Sequence, residues 1–181
     1  MSEELTYRGE MIKAMTFLSN EPRVVFLGQA VAVAGTVMRS TLELIDQDRL
    51  IEMPVEEDFQ LGVSIGLATC GSIPVSIFPR LNFLMLAMNQ LVNHLDKLQL
   101  LLEPSVAPKV IVRTSIGSVD PLDPGPQHKG DMTEPLRLLC PHMNVVRLDD
   151  AKSIVPAYEE ALLREDGVSS ILIEWGDLYG N

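Results

Sequence analysis

Six short apolar, β-branched runs punctuate the chain, at Val24 to Leu27, Leu50 to Met53, Pro74 to Phe78, Lys109 to Thr114, Asn144 to Leu148 and Ser170 to Ile173. A segment long enough for a helix separates each run from the next. Strands buried on both faces read as continuous hydrophobic runs, and strands joined by helices lie parallel in a sheet covered on either side. The expected fold is therefore α/β, a doubly wound, mostly parallel six-stranded sheet with helices on both faces. No repeat, low-complexity tract or linker interrupts the pattern, so residues 1–181 read as a single domain with no second domain after it. At that length roughly 70% of the unfolded chain's surface can be buried, enough for one sizeable core.

Two connecting segments read clearly as helices. Leu81 to Leu102 is long, carries apolar residues at helical spacing, and is unusually apolar at Met85, Leu86, Met88, Leu91 and Val92, as a deep core helix or a subunit contact would be. Asp149 to Arg164 opens on two aspartates suited to a helix N-terminus. Two stretches break the rhythm. Residues 115–131 hold three prolines, three glycines and three aspartates and predict a long functional loop. In Glu56 to Gly71, the residues Phe59, Leu61, Val63, Ile65 and Leu67 alternate as a strand would. Gly62, Gly66 and Ala68 equally suit a helix against which another backbone packs closely.

Composition removes several functions. The net charge is −11 and the 14 basic residues are scattered, which disfavours contact with nucleic-acid phosphates. No apolar run approaches the ~20 residues needed to span a bilayer. The opening MSEELTYRGE is polar and acidic, unlike a secretory signal, so the cytoplasm is the expected location. Cys70 and Cys140 read as reduced thiols, and Cys140-Pro-His142 offers too few ligands for structural zinc. There is no dinucleotide fingerprint and no P-loop. Gly62-Val63-Ser64-Ile65-Gly66 matches a nucleophile elbow, with Asp120, Asp123, His128 and His142 following in hydrolase order. That elbow needs a strand running into its first glycine, and Glu56-Glu57-Asp58 is too acidic for a buried one, so Ser64 reads as a small residue in a packed helix.

The strongest constellation has three parts: Met53-Pro54-Val55-Glu56-Glu57 after the second strand, Phe78-Pro79-Arg80-Leu81-Asn82-Phe83 after the third, and Gly125-Pro126-Gln127-His128 in the long loop. All lie at the carboxyl ends of strands, where open α/β sheets bind ligands. Here the sequence resembles the N-terminal, pyrimidine-binding domain of the beta subunits of 2-oxoacid dehydrogenases, within the wider transketolase family of thiamine diphosphate enzymes. Pro54-Val55-Glu56-Glu57 resembles the family's P-I-S-E segment. Asn82-Phe83 with Ala87 to Asn93 resembles its F-x-F and A-x-D-Q-x-x-N helix. Pro108 to Gly117, followed by Gly125 to His128, resembles its P-x-V-x-R-x-P-x-G and G-P-Q-H pair.

The resemblance implies a thiamine diphosphate-binding fold with Glu57 as the carboxyl group at the cofactor's aminopyrimidine nitrogen, and Val55 and Phe83 as apolar walls. A dry pocket favours proton exchange there by penalising the charged form. It also puts Phe83 against the pyrimidine face and His128 at the thiazolium end, near the substrate carboxylate. Taken without the resemblance, Glu57 is one of three acids at a helix start. His94 and His142 match no motif and read as structural.

Departures from the family pattern matter as much. Gly28-Gln29 stands where glycine-glutamate is usual, Asn89 where an aspartate is usual, and Lys129 where a serine is usual. The Gly-Asp-Gly signature for the magnesium-bound diphosphate is missing. The resemblance therefore implies a separate diphosphate-binding partner subunit carrying most of the Mg contacts, in a heterotetramer with two copies of each chain. The implied activity is decarboxylation of a 2-oxoacid with acyl or aldehyde transfer. Alternatives are a transketolase-like carboligase subunit and a non-catalytic scaffold.

Overall fold

The computed structural model describes residues 5–33, 36–103, 106–117 and 123–180. Its centre is a six-stranded sheet, all parallel, in the order β2-β1-β3-β4-β6-β5. The strands are β1 Val24–Gly28, β2 Leu50–Glu52, β3 Ile73–Phe78, β4 Ile111–Ile116, β5 Asn144–Leu148 and β6 Ser170–Trp175. Each expected run became a strand, because Ile73, Val75, Ile77 and Phe78 of β3 and Ile171, Leu172 and Ile173 of β6 suit a pleat buried on both faces.

Side chains alternate between two cores. Val24 and Phe26 of β1, Val75 and Ile77 of β3 and Leu172 of β6 point to one. There α1 (Tyr7–Ser19) and α7 (Ala151–Leu163) cover the sheet. Phe78, Val112, Ile171 and Ile173 point to the other, under α3 (Glu57–Thr69) and α6 (Thr133–Leu139). A short α2 (Val37–Ser40) lies between β1 and β2. At α7 the capping residue is Asp150, whose side chain accepts from Ser153 N. Asp149 is used elsewhere, accepting from Arg147 and from Trp175 Nε1.

Residues 57–69 are helical, which decides the ambiguous stretch. The buried positions Glu57, Gln60, Leu61, Ser64 and Ala68 recur at helical spacing, and Gln60 Nε2 donates to Ser76 Oγ (3.2 Å) and Ile77 O (3.0 Å) of β3. Ser64 Oγ is spent inside the helix on Gln60 O (2.9 Å), so no nucleophile elbow exists.

The single long helix expected over Leu81 to Leu102 is corrected. The segment breaks into α4 (Leu81–Leu84), a 3-10 turn (Met85–Ala87), a π-helical stretch (Gln90–Leu95) and α5 (Leu98–Leu101). The wider turn is visible in Asp96 N donating five residues back to Leu91 O (2.9 Å). It ends at the fully buried Asp96, which accepts from His142 N (2.8 Å). The long loop expected over 115–131 begins later, since β4 continues to Ile116, and it contains a 3-10 turn at Pro126–His128. Residues 118–122 of that loop lie outside the described residues.

Candidate active site

The chain leaves β1 towards β2 on one side of the sheet and leaves β3 towards β4 on the other. The carboxyl ends of β1 and β3 therefore flank a topological switch point, where doubly wound sheets open a crevice for ligands. Gln29 follows β1 directly, Glu57 begins the helix after β2, Arg80 to Phe83 follow β3, and Gly117 follows β4. Gly28 is needed for this convergence: a Cβ on it would lie 2.3 Å from Ile77 O, so only glycine lets β1 run so close to β3.

Glu57 is 4% exposed. Gln29 Nε2 donates to Glu57 Oε1 at 3.0 Å. Among the described residues Oε2 accepts no hydrogen bond. The unbonded oxygen can accept a hydrogen bond from a further N–H or O–H group.

Phe83 and His128 form a second pair, ring centroids 5.3 Å apart and tilted by 57°. His128 Nδ1 is buried and has no hydrogen-bond partner among the described residues, and the same holds for Asn82 Oδ1. Buried polar atoms without partners are uncommon, and these two lie in the segments that follow the carboxyl ends of β3 and β4. Around them the framework is tied down. Arg80 Nη1 donates to Gly117 O (3.2 Å), and burial lowers this guanidinium from its ordinary value. Lys129 pairs with Asp123 at 2.9 Å across the turn that carries His128, and Arg147 Nη1 holds Asp131 at 2.6 Å. Lys129, the departure from the serine usual in the family, is thus engaged within its own loop.

Val55 is 80% exposed. Phe83 is half-buried and flanks His128. Gln29, Arg80 and Asn82 were not singled out as site residues from sequence. The available signals were Gln29, which interrupts a familiar glycine-glutamate pair, and the motif segment Phe78 to Phe83 that carries Arg80 and Asn82.

The all-parallel sheet, with its topological switch point between β1 and β3, defines an open, doubly wound α/β domain. Residues 5–179 match the model of the transketolase pyrimidine-binding domain, and the chain belongs to that family. Among curated proteins it is 33% identical over 121 residues to the beta subunit of 3-methyl-2-oxobutanoate dehydrogenase of Mycobacterium tuberculosis, covering 65% of this chain and 34% of that one. It is 28% identical over 103 residues to the 2-oxoisovalerate dehydrogenase beta subunit of Bacillus subtilis, covering 55% and 32%. The chain thus matches about a third of the length of these relatives. Among solved structures, a split-gene transketolase described as an inactive beta4 tetramer has a TM-score of 0.67 at 20% identity, covering 94% of this chain and 51% of that one. A transketolase from Campylobacter jejuni has 0.68 at 14%, covering 94% and 26%. At those identities the structures speak for the fold alone.

Proposed function

We propose that this chain is the pyrimidine-binding part of a thiamine diphosphate-dependent enzyme acting on a 2-oxoacid, with Glu57 as the activating carboxylate. The observation that carries the reading is the nearly buried Glu57 at the switch point, with one oxygen bonded to Gln29 and the other open to a ligand. Thiamine diphosphate, when bound, supplies a nucleophilic carbon able to attack a 2-oxo group. The residues suit it: a buried acceptor for a ring nitrogen, the Phe83 ring for a flat face, and unpartnered His128 Nδ1 and Asn82 Oδ1 for polar groups.

In this reading Glu57 holds and exchanges a proton with the aminopyrimidine, and His128 orients the substrate carboxylate or moves a proton at its Nδ1. Val55 joins the wall only when another chain covers it. A partner subunit supplies the diphosphate and magnesium contacts, for which this sequence carries no signature, in a heterotetramer with two copies of each chain. Support for a 2-oxoacid comes from the dehydrogenase beta subunits among its relatives. A transketolase-like carboligase rests on structural likeness alone.

The test is reconstitution with the partner chain. Glu57→Gln is expected to lower turnover at least ~10²-fold, as loss of a positioned acid-base group does, while leaving assembly intact. Turnover close to that of the unaltered complex would remove Glu57 from the role. Product analysis with a 2-oxoacid against a ketose donor separates the two activities.

A further inference from the structure

Glu52 closes β2 directly beside Gly28, its partner in the parallel register of β1. Its two carboxylate oxygens reach across to the loop that follows β1. Oε1 accepts from Ala30 N at 2.5 Å and Oε2 from Ala32 N at 2.8 Å. Met53 N donates to Gly28 O at 2.9 Å, so the loop is gripped before and after Gln29. Ala30 has φ +55°, a left-handed conformation that alanine adopts only when its surroundings hold it there. The residue bracketed by these contacts is Gln29, whose Nε2 meets Glu57 Oε1 at 3.0 Å.

A carboxylate receiving two backbone N–H groups fixes the path of that backbone much as an N-cap does. Gly28 has no lateral freedom, since any Cβ there would meet Ile77 O. β3 closes the near side of this backbone and Glu52 holds the far side, and from it the Gln29 side chain reaches the start of α3.

We propose that Glu52 is a positioning residue, which holds Ala30 in its left-handed turn and thereby sets the Gln29 amide against Glu57. The proposal deepens the reading of Glu57 as the activating carboxylate and rests on it for its catalytic consequence. Its structural content stands separately.

The test therefore has two readouts. In the full chain, ¹⁵N-labelled at glutamine and alanine, Glu52→Ala is expected to move the Gln29 side-chain amide resonances to those seen in Glu57→Ala. It is also expected to speed hydrogen exchange at Ala30 and Ala32 N–H at least tenfold. Adding Ala30→Gly, which makes the left-handed turn easy, is expected to return the Gln29 resonances part of the way. Glu52→Gln keeps one carbonyl acceptor and should fall between. Because Glu52 is exposed, overall folding should be unaffected, checked by far-ultraviolet circular dichroism. In the reconstituted enzyme, Glu52→Ala should lower kcat about tenfold, and Glu52→Ala with Ala30→Gly should recover part of it.

Unchanged Gln29 resonances in Glu52→Ala would overturn the clamp, and no recovery with Ala30→Gly would overturn Ala30 as the route. Moved resonances together with full activity of Glu57→Gln would instead leave the clamp standing and sink the reading of Glu57.

Discussion

Arg113 and Glu174 are both fully buried, one on β4 and one on β6. Arg113 Nε donates to Glu174 Oε1 at 2.5 Å and Nη2 to Tyr179 Oη at 2.9 Å, while the Tyr158 hydroxyl donates to Glu174 Oε1 at 3.0 Å. Two charges removed from water are tolerated only as a pair, and deleting one leaves the other uncompensated. Arg113→Met is expected to destabilise by about 3–5 kcal/mol, read from the urea midpoint, with partial recovery on adding Glu174→Gln. An equal loss in single and double variants would mean that packing, not charge, is at stake. Single residues were also where the sequence was least legible. Glu57, Phe83 and His128 came from motif order. The Gln29 to Glu57 contact depends on β1 lying between β2 and β3, and no pattern of apolar runs encodes strand order. Glu52 lay unremarked inside the run Leu50 to Met53.

At the scale of elements, legibility follows what each buried face is made of. The central strands β1, β3, β4 and β6 were visible because both their faces are buried, and the edge strands β2 and β5 because each still carries a short apolar run. In α3 the buried face is Glu57, Gln60, Ser64 and Ala68 around Leu61, while Phe59, Val63, Ile65 and Leu67 are partly or largely exposed. Hydropathy therefore traced the wrong residues and imitated a strand. Leu81 to Leu102 failed differently, since a π-helical stretch shifts the ladder by one residue without changing composition. Helix ends were more legible. Asp150 accepts from Ser153 N at the start of α7, and Asp150→Ala is expected to cost about 1 kcal/mol in chemical denaturation, within the usual range for a lost cap. A loss below a few tenths would mean that Ser153 N finds another acceptor.

The whole molecule has an alkaline weakness. Its three tyrosines, Tyr7, Tyr158 and Tyr179, all carry phenols raised by burial and by the nearby Glu174 carboxylate. Burial and Asp96 push the Cys140 thiol from 9.0 to about 11. A folded state that keeps these protons longer than the unfolded chain is fully stabilised below the unfolded values. It loses that advantage as pH rises, from about 9 for the thiol and about 10 for the phenols. The melting temperature is expected to hold between pH 7 and 8.5 and to fall from pH 9 upward, by about 2–4 °C for each 1 kcal/mol lost at this chain length. A flat profile to pH 11 would contradict it.

The Tyr7 hydroxyl donates to Leu148 O and accepts from Trp175 N, both at 3.0 Å, across 141 and 168 residues of chain. During synthesis α1 precedes both of its anchoring partners, β5 and β6. Until β6 has been synthesised, α1 has no finished sheet to settle on, and its apolar stripe of Met11, Ala14, Met15 and Leu18 stays unburied. Those long-range contacts raise the contact order, which slows folding, and until they form the stripe is the kind of exposed apolar surface that makes a part-folded chain prone to aggregate.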